Sequence, residues 1–178
     1  MSQIEVSYED MKQKVADELR KHQKGYLATS EGKSVTVRRM GFVSDGLTIW
    51  CLTDKDSRKC NHIKANPNVA IAIGDNLQIE GVAYLKGHPL DEEHTDYIRA
   101  FQEHDMERYE RSLRPGRILQ RPGTRVIEVN PKRIVLNTGT LQWDLEPGPP
   151  VTVILDTENE KAHRVNTLDL YKAPAYKE

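Results

Sequence analysis

A mainly β fold, an antiparallel barrel with flanking α-helices, is what three features of this sequence predict. Short apolar runs rich in Val, Ile and Thr recur between Tyr26 and Leu136 at roughly the 8–12-residue spacing of all-β domains. The runs are joined by turn chemistry, Glu31-Gly32-Lys33, Ser44-Asp45-Gly46 and Gly74-Asp75-Asn76, which suits antiparallel neighbours in a meander. Helical periodicity, by contrast, is confined to three stretches that begin near Ser7, Ser57 and Asp91.

In chain order, Ser7 caps a first helix with Asp10 at the acidic position of a capping box, and Met11, Val15 and Leu19 repeat along one face. Gly25 ends that helix. Tyr26 to Ser30 is the first strand, Ser34 to Val43 the second and Leu47 to Thr53 the third, each rich in β-branched or aromatic residues. Asp54-Lys55-Asp56 is a polar loop, and Ser57 is a good N-cap for a helix that runs through Arg58, Lys59, Ile63 and Ala65 to the Asn66-Pro67 stop. Strands over Val69 to Ile73 and Leu77 to Leu85 follow. From Asp91 to about Tyr109 the chain turns helical, with Tyr97, Ile98, Phe101 and Met106 as its apolar stripe. Thr124 to Val129 is a strand, Asn130-Pro131-Lys132 a turn, and Arg133 to Leu136 pairs back to close the barrel. Pro147-Gly148-Pro149-Pro150 then breaks the chain before an appended hairpin of Val151 to Leu155 and Ala162 to Val165. Residues 1–146 thus form the barrel domain with its N-terminal helix, and 147–178 are an extension rather than a second domain.

Composition narrows the function classes. Over 178 residues only 37% are hydrophobic, so the chain gains from burying surface against a cofactor or a second copy. With 26 basic and 27 acidic side chains the net charge is −1, so no broad field favours nucleic acid or an anionic membrane, and any anion site must be local. Cys51 and Cys60 form no disulfide framework, and Cys60-Asn61-His62 lacks the second ligand pair of a zinc site, so no metal is expected. The N-terminus has no apolar signal core and no stretch approaches the roughly 20 apolar residues of a membrane helix, which points to a reducing cytoplasm. His94 and His104 are too far apart on their helix to share a metal and read as solvated. Arg108, Arg111, Arg114, Arg117 and Arg121 read as a solvated run answering Glu103, Asp105, Glu107 and Glu110, or as a rim for an anionic substrate.

The stretch from Ser34 to Lys59 concentrates the chemistry. Adjacent Arg38 and Arg39 point to opposite faces of their strand, one with Val35, Val37 and Val43, the other with Met40 and Phe42. Either way an arginine sits among apolar side chains and needs an anionic or hydrogen-bonding partner. Free N–H groups at a helix start bind anions, and at Ser57-Arg58-Lys59 a hydroxyl, a guanidinium and an ammonium stand beside them. A phosphate fits there; the alternative is a capped helix whose Arg58 and Lys59 are simply solvated.

Four linked segments now carry a resemblance. In order, Val37-Arg38-Arg39-Met40-Gly41-Phe42, Leu52-Thr53-Asp54-Lys55-Asp56-Ser57-Arg58-Lys59, Ile63-Lys64-Ala65-Asn66-Pro67-Asn68-Val69-Ala70 and Ile79-Glu80-Gly81-Val82-Ala83 resemble the pyridoxamine phosphate oxidase-like flavoproteins, more closely their small general-stress-protein branch. The likeness runs from about Gly25 to Gly87. It implies a split β-barrel that binds flavin mononucleotide (FMN) at a homodimer interface. By that likeness the family's strand arginine falls on Arg38 or Arg39, with the register open, and its phosphate-binding residues fall on Ser57, Arg58 and Lys59. The residues lining the isoalloxazine ring fall on Met40, Gly41, Phe42, Val43, Leu52 and Thr53. Glu80 stands where the oxidases acting on pyridoxamine phosphate place a flavin-contacting glutamine. The tail Thr167-Leu168-Asp169-Leu170-Tyr171-Lys172 lacks their C-terminal tryptophan and arginine signature, and Trp143 reads as packing rather than a flavin lid.

The expectation is therefore an FMN-dependent oxidoreductase acting on a small-molecule redox substrate other than pyridoxamine phosphate. No residue stands out as the catalytic acid or base, as befits a site whose cofactor carries the reaction. The alternatives are a non-catalytic flavin-binding sensor or reservoir, a deazaflavin-binding relative, or a haem-binding relative in which His62 or His163 is the ligand.

Overall fold

In a computed structural model, which describes residues 4–137 and 151–166, the chain forms one nine-stranded antiparallel sheet that closes on itself. The strands are β1 (Ile4–Val6), β2 (Lys24–Glu31), β3 (Ser34–Asp45), β4 (Thr48–Asp54), β5 (Asn68–Ile73), β6 (Leu77–Leu85), β7 (Thr124–Asn137), β8 (Val151–Asp156) and β9 (Lys161–Asn166). They are ordered β1-β9-β8-β7-β4-β3-β2-β5-β6, and an added pairing of β7 with β6 closes a six-stranded barrel. Closure removes the unpaired edges of those six strands.

Period-2 alternation decides the inside. Leu27, Ile49, Ile71, Ile73, Leu77, Ile79, Ile127 and Ile134 are each no more than 4% exposed and fill the barrel with Phe42 and Cys51. Helix α1 (Tyr8–Arg20) packs Val15 and Leu19 onto this core, and Ser7 accepts a hydrogen bond from the Asp10 N–H at 3.3 Å, as the capping pattern predicts. Helix α2 (Arg58–Ala65) adds Ile63 to the same core, while α3 (Thr95–Ser112) covers a second cluster of Val43, Trp50, Tyr97, Phe101, Leu119 and Val126 outside the barrel.

Three expectations need correction, and one strand has no counterpart among them. Helix α1 ends at Arg20, and Gly25 lies inside β2, where a Cβ would stand 2.8 Å from Ile73. Asn130-Pro131-Lys132 is no turn: β7 is one continuous strand, with a register shift opposite Glu80 and Gly81 that leaves Lys132 unpaired with β6. Pro131 has no N–H to give a ladder, so a bulge is where a strand tolerates it. Gly81 matches it, since a Cβ there would sit 2.5 Å from the Asn130 carbonyl oxygen. The short strand β1 was not foreseen, because it exists only by pairing with β9. Met106 is 50% exposed rather than part of the α3 stripe, because the backbone breaks from helical geometry at Asp105.

The β8–β9 hairpin forms where expected and pairs with β7 through Arg133–Asn137. Pro147 to Pro150, Trp143 and the tail from Thr167 to Lys172 lie outside the described residues. Among the described residues, no helix is long and apolar enough to cross a membrane.

Candidate cofactor-binding site

Three cations meet where β3, the end of β4 and the start of α2 come together. Arg38 shares the inward side of β3 with Met40 and Phe42, which settles its register against Arg39. Its guanidinium donates to the Leu27 carbonyl at 3.1 Å, to Thr29 Oγ1 at 2.8 Å and to Thr36 Oγ1. Thr29 in turn meets His62 Nδ1 at 3.1 Å, so α2 and the arginine strand are joined through one hydroxyl. Burial lowers the Arg38 pKa, and the positive charge of Arg58 lowers it further.

Thr53 is the second hub. It is 3% exposed, accepts from Lys59 Nζ at 2.9 Å and contacts Ser57 Oγ at 2.9 Å. Burial holds the Lys59 ammonium below the usual lysine range, and the charge of Arg38 adds to the effect against an opposite pull from Cys60 and Asp54. Among the described residues, none of Arg38, Arg58 and Lys59 has a carboxylate at ion-pair distance. Ser57 does not cap α2 with its side chain; the hydroxyl points to Thr53 and Cys60 instead. At the helix start the Ser57 N–H already donates to the Asp54 carbonyl at 3.1 Å and the Cys60 N–H to the Ser57 carbonyl at 2.9 Å, so only the Arg58 and Lys59 N–H groups precede the first helical bond. The site is a cluster of three cations on a polar scaffold, in which Asp54 acts on Lys59 without reaching ion-pair distance.

Under α3, on the face of β3 and β4 that carries Gly41, Val43 and Leu52, a cleft of about 220 Å³ opens, lined also by Tyr97, Phe101 and Arg108. Its roof is fixed by a break in α3. At Asp105 the backbone is extended, and the carboxylate restarts the helix by accepting the Arg108 N–H at 2.9 Å, as an N-cap does. The same carboxylate accepts from Gln23 Nε2 at 2.8 Å. Arg108 donates to the carbonyls of Phe42 at 2.8 Å and Gln23 at 3.3 Å, with its guanidinium carbon 4.8 Å from the Phe101 ring centroid. His104 Nε2 lies 2.9 Å from the His22 carbonyl and so carries its proton there. Burial lowers the His104 pKa.

The remaining expected residues separate. Met40 packs partly buried against the barrel core, Phe42 and Val43 are buried in the two clusters, and Phe42 offers the site only its backbone. Arg39 is not among apolar core residues: it is exposed on the outer face, opposite Tyr26. Glu80 stands on that same outer face, opposite Ala70, and pairs with Arg133 at 2.9 Å. Within one chain it is not joined to Thr53 and Lys59. Around it runs an exposed apolar surface of Val35 (67%), Val37 (63%) and Tyr26 (54%) with Ala70 and Ala72, larger than scattered surface residues need. His62 is 2% exposed with its ring bonded to Thr29, a poor position for a haem ligand.

The histidines and the basic run also depart from expectation. His94 is 8% exposed rather than solvated, and His104 is partly enclosed. Arg108 is partly buried while Arg111, Arg114, Arg117 and Arg121 are exposed, so the run is not one surface. The signal for Arg108 lay in Asp105, an N-cap residue three positions earlier inside an apparently unbroken helix. Both cysteines are free and buried, and burial pushes the Cys51 thiol up to about 12, which leaves it inert beside the site.

Comparison with known proteins is consistent with this architecture. The family model described as pyridoxamine 5'-phosphate oxidase matches residues 11–137. General stress protein 26 of Bacillus subtilis (strain 168) is 41% identical over 81 residues, which are 46% of this chain and 58% of that protein, so the likeness spans little more than half of the curated relative. A crystal structure from Listeria innocua, provisionally named a pyridoxamine 5'-phosphate oxidase, is 28% identical with a TM-score of 0.56, over 70% of this chain and 95% of that one. More distant structures share the fold: an F420 reductase (23% identical, TM-score 0.51, 66% of this chain and 94% of that one) and the heme storage protein HutZ of Vibrio cholerae (18%, 0.51, 65% and 86%). With the family model covering well over half of its length, the chain belongs to the pyridoxamine 5'-phosphate oxidase family, on a split barrel of the general-stress-protein type.

Proposed function

We propose that this protein binds FMN and acts as a flavin-dependent oxidoreductase on a small molecule other than pyridoxamine phosphate. The observation that carries the reading is the meeting of Arg38, Arg58 and Lys59 at a helix start, none of them ion-paired to a carboxylate among the described residues. Three cations held together repel one another, and a phosphate dianion removes that cost while accepting charge-assisted hydrogen bonds. A phosphorylated flavin answers this better than haem, because His62 is closed off. Bound there, FMN would supply the hydride or electron chemistry. The chain's part is to hold the phosphate with Ser57, Arg58, Lys59 and Arg38, and to line the ring with Met40, Gly41, Leu52 and Thr53.

The exposed outer face with Tyr26, Val35 and Val37 supports a homodimer that shares the cofactor between subunits. Free buried thiols suit a reducing compartment such as the cytoplasm. Glu80, an acid already engaged with Arg133, supports a substrate other than pyridoxamine phosphate, and an assay for pyridoxal phosphate formation should read near background. Mass spectrometry of the small molecule released by denaturing the purified protein tests the cofactor: FMN is the expected mass, and haem or deazaflavin overturns the reading. Changing Val37→Lys would place an unpaired ammonium on each side of the proposed interface, a burial that costs several kcal/mol, so light scattering should report a monomer.

A further inference from the structure

We propose a divalent transition-metal site at the junction of β6 and α3, built from Asp91, Glu93 and His94. One ligand atom of each, a carboxylate oxygen from the two acids and a ring nitrogen from His94, lie within 4.8 Å of one another. Two carboxylates and one imidazole are a donor set that suits zinc and its neighbours, since the nitrogen disfavours magnesium and calcium.

Four observations point to an ion rather than a chance cluster. His94 is 8% exposed, and its Nε2 is buried without a hydrogen-bond partner; Glu93 Oε1 lies 3.4 Å away but out of line. A buried ring nitrogen without a partner is costly, and metal ligation satisfies it. The space the three donors face is kept open by Gly87. A Cβ built there would stand 2.7 Å from Asp91 Oδ2, 3.0 Å from Glu93 Oε1 and 3.2 Å from His94 Nε2. The Asp91 carboxylate is also held in place, since its Oδ2 accepts the His88 N–H at 2.8 Å. Among the described residues, neither acid has a Lys or Arg at ion-pair distance, so their charge is not already spent.

Zinc-sized ions sit about 2.0–2.2 Å from each donor, so the exposed Glu93 carboxylate must rotate slightly inward to complete the set, leaving a fourth position for water. The site is a clamp. Gly87 is tied to β7 through the Val126 N–H at 3.2 Å, while Glu93 and His94 belong to the turn that opens α3, so an ion there fastens the roofing helix to the barrel.

Titrating Zn²⁺ into the chelator-treated full-length protein by calorimetry, with thermal melts alongside, tests this. The expected result is one ion per chain and a rise in melting temperature. D91N and E93Q change exposed ligands without threatening the fold and should each weaken binding by about tenfold or more. G87A removes no ligand but fills the cradle, and should abolish both the heat and the thermal shift. Absence of binding to the wild type overturns the proposal, and so does binding that all three variants retain, which would place the ion on other histidines.

Discussion

Two arginines are partly buried against β3, and they live in opposite electrostatic circumstances. Arg108 has a carboxylate, two backbone carbonyls and an aromatic ring around it. Arg38 has only neutral oxygens, and the charged groups that act on it are another arginine and a lysine. Desolvation lowers the pKa of both, yet Asp105 pulls Arg108 back up while Arg58 pushes Arg38 further down. Burial alone therefore does not distinguish a structural cation from a binding one. Charge compensation is what separates these two: Arg108 has Asp105 beside it, and Arg38 has no carboxylate at ion-pair distance among the described residues, a lack that the proposed phosphate would fill.

The largest effect expected of that contrast is on stability. Arg108→Ala breaks a partly buried ion pair and removes two hydrogen bonds to backbone carbonyls, of which the Gln23 carbonyl keeps the Phe42 N–H, and should cost about 2–4 kcal/mol in denaturant unfolding. It should leave the preference for phosphorylated over plain flavin unchanged, since none of its contacts reaches the phosphate cluster. Arg38→Ala should do the reverse. The cofactor-free variant should unfold within about 1 kcal/mol of the parent, because relief of repulsion offsets the lost hydrogen bonds. Its affinity for FMN should fall by roughly tenfold to a hundredfold in a fluorescence titration. Equal destabilisation by the two changes would erase the comparison.

A smaller effect sharpens the Arg108 side. The folded-state pKa of His104 is lowered from its ordinary value near 6.5 by burial, so the unfolded chain takes up a proton that the folded one refuses. That contribution to stability is present in full above about pH 6.5 and is lost as the pH falls toward the lowered value. His104→Gln can keep a donor for the His22 carbonyl, and should flatten the acid limb of stability against pH by less than about 1 kcal/mol. An unchanged acid limb would mean that another group carries it.

Much of this was legible in the sequence, and the failures have physical causes. Strand and turn chemistry between Tyr26 and Leu85 is local, so β2 to β6 and α2 lie within a few residues of their expected places. That Arg38, Ser57, Arg58 and Lys59 group together was readable because a helix start and a strand arginine are local signals as well, although the side-chain cap expected at Ser57 does not form. What failed depends on distant partners. A turn was read at Pro131 because the bulge exists only against Gly81, and β1 exists only against β9. The role of Arg108 needs a carbonyl 66 residues away, and the burial of His94 follows from packing that no periodicity records. Arg38 and Arg39 could not be told apart until the sheet closed and fixed which side of β3 faces in.

The central claim is that the compensating anion for Arg38, Arg58 and Lys59 is a flavin phosphate. Titrating FMN and riboflavin into the parent protein and into the Arg58→Ala, Lys59→Ala double variant tests it most directly, because riboflavin differs only in lacking the phosphate. Each charge-assisted hydrogen bond is worth roughly 1.5–3 kcal/mol, so the parent should favour FMN by at least about a hundredfold and the variant should lose most of that preference. Affinity for riboflavin should be nearly equal in the two proteins. The same preference for FMN in both would contradict the account, since these two residues would then not hold the phosphate.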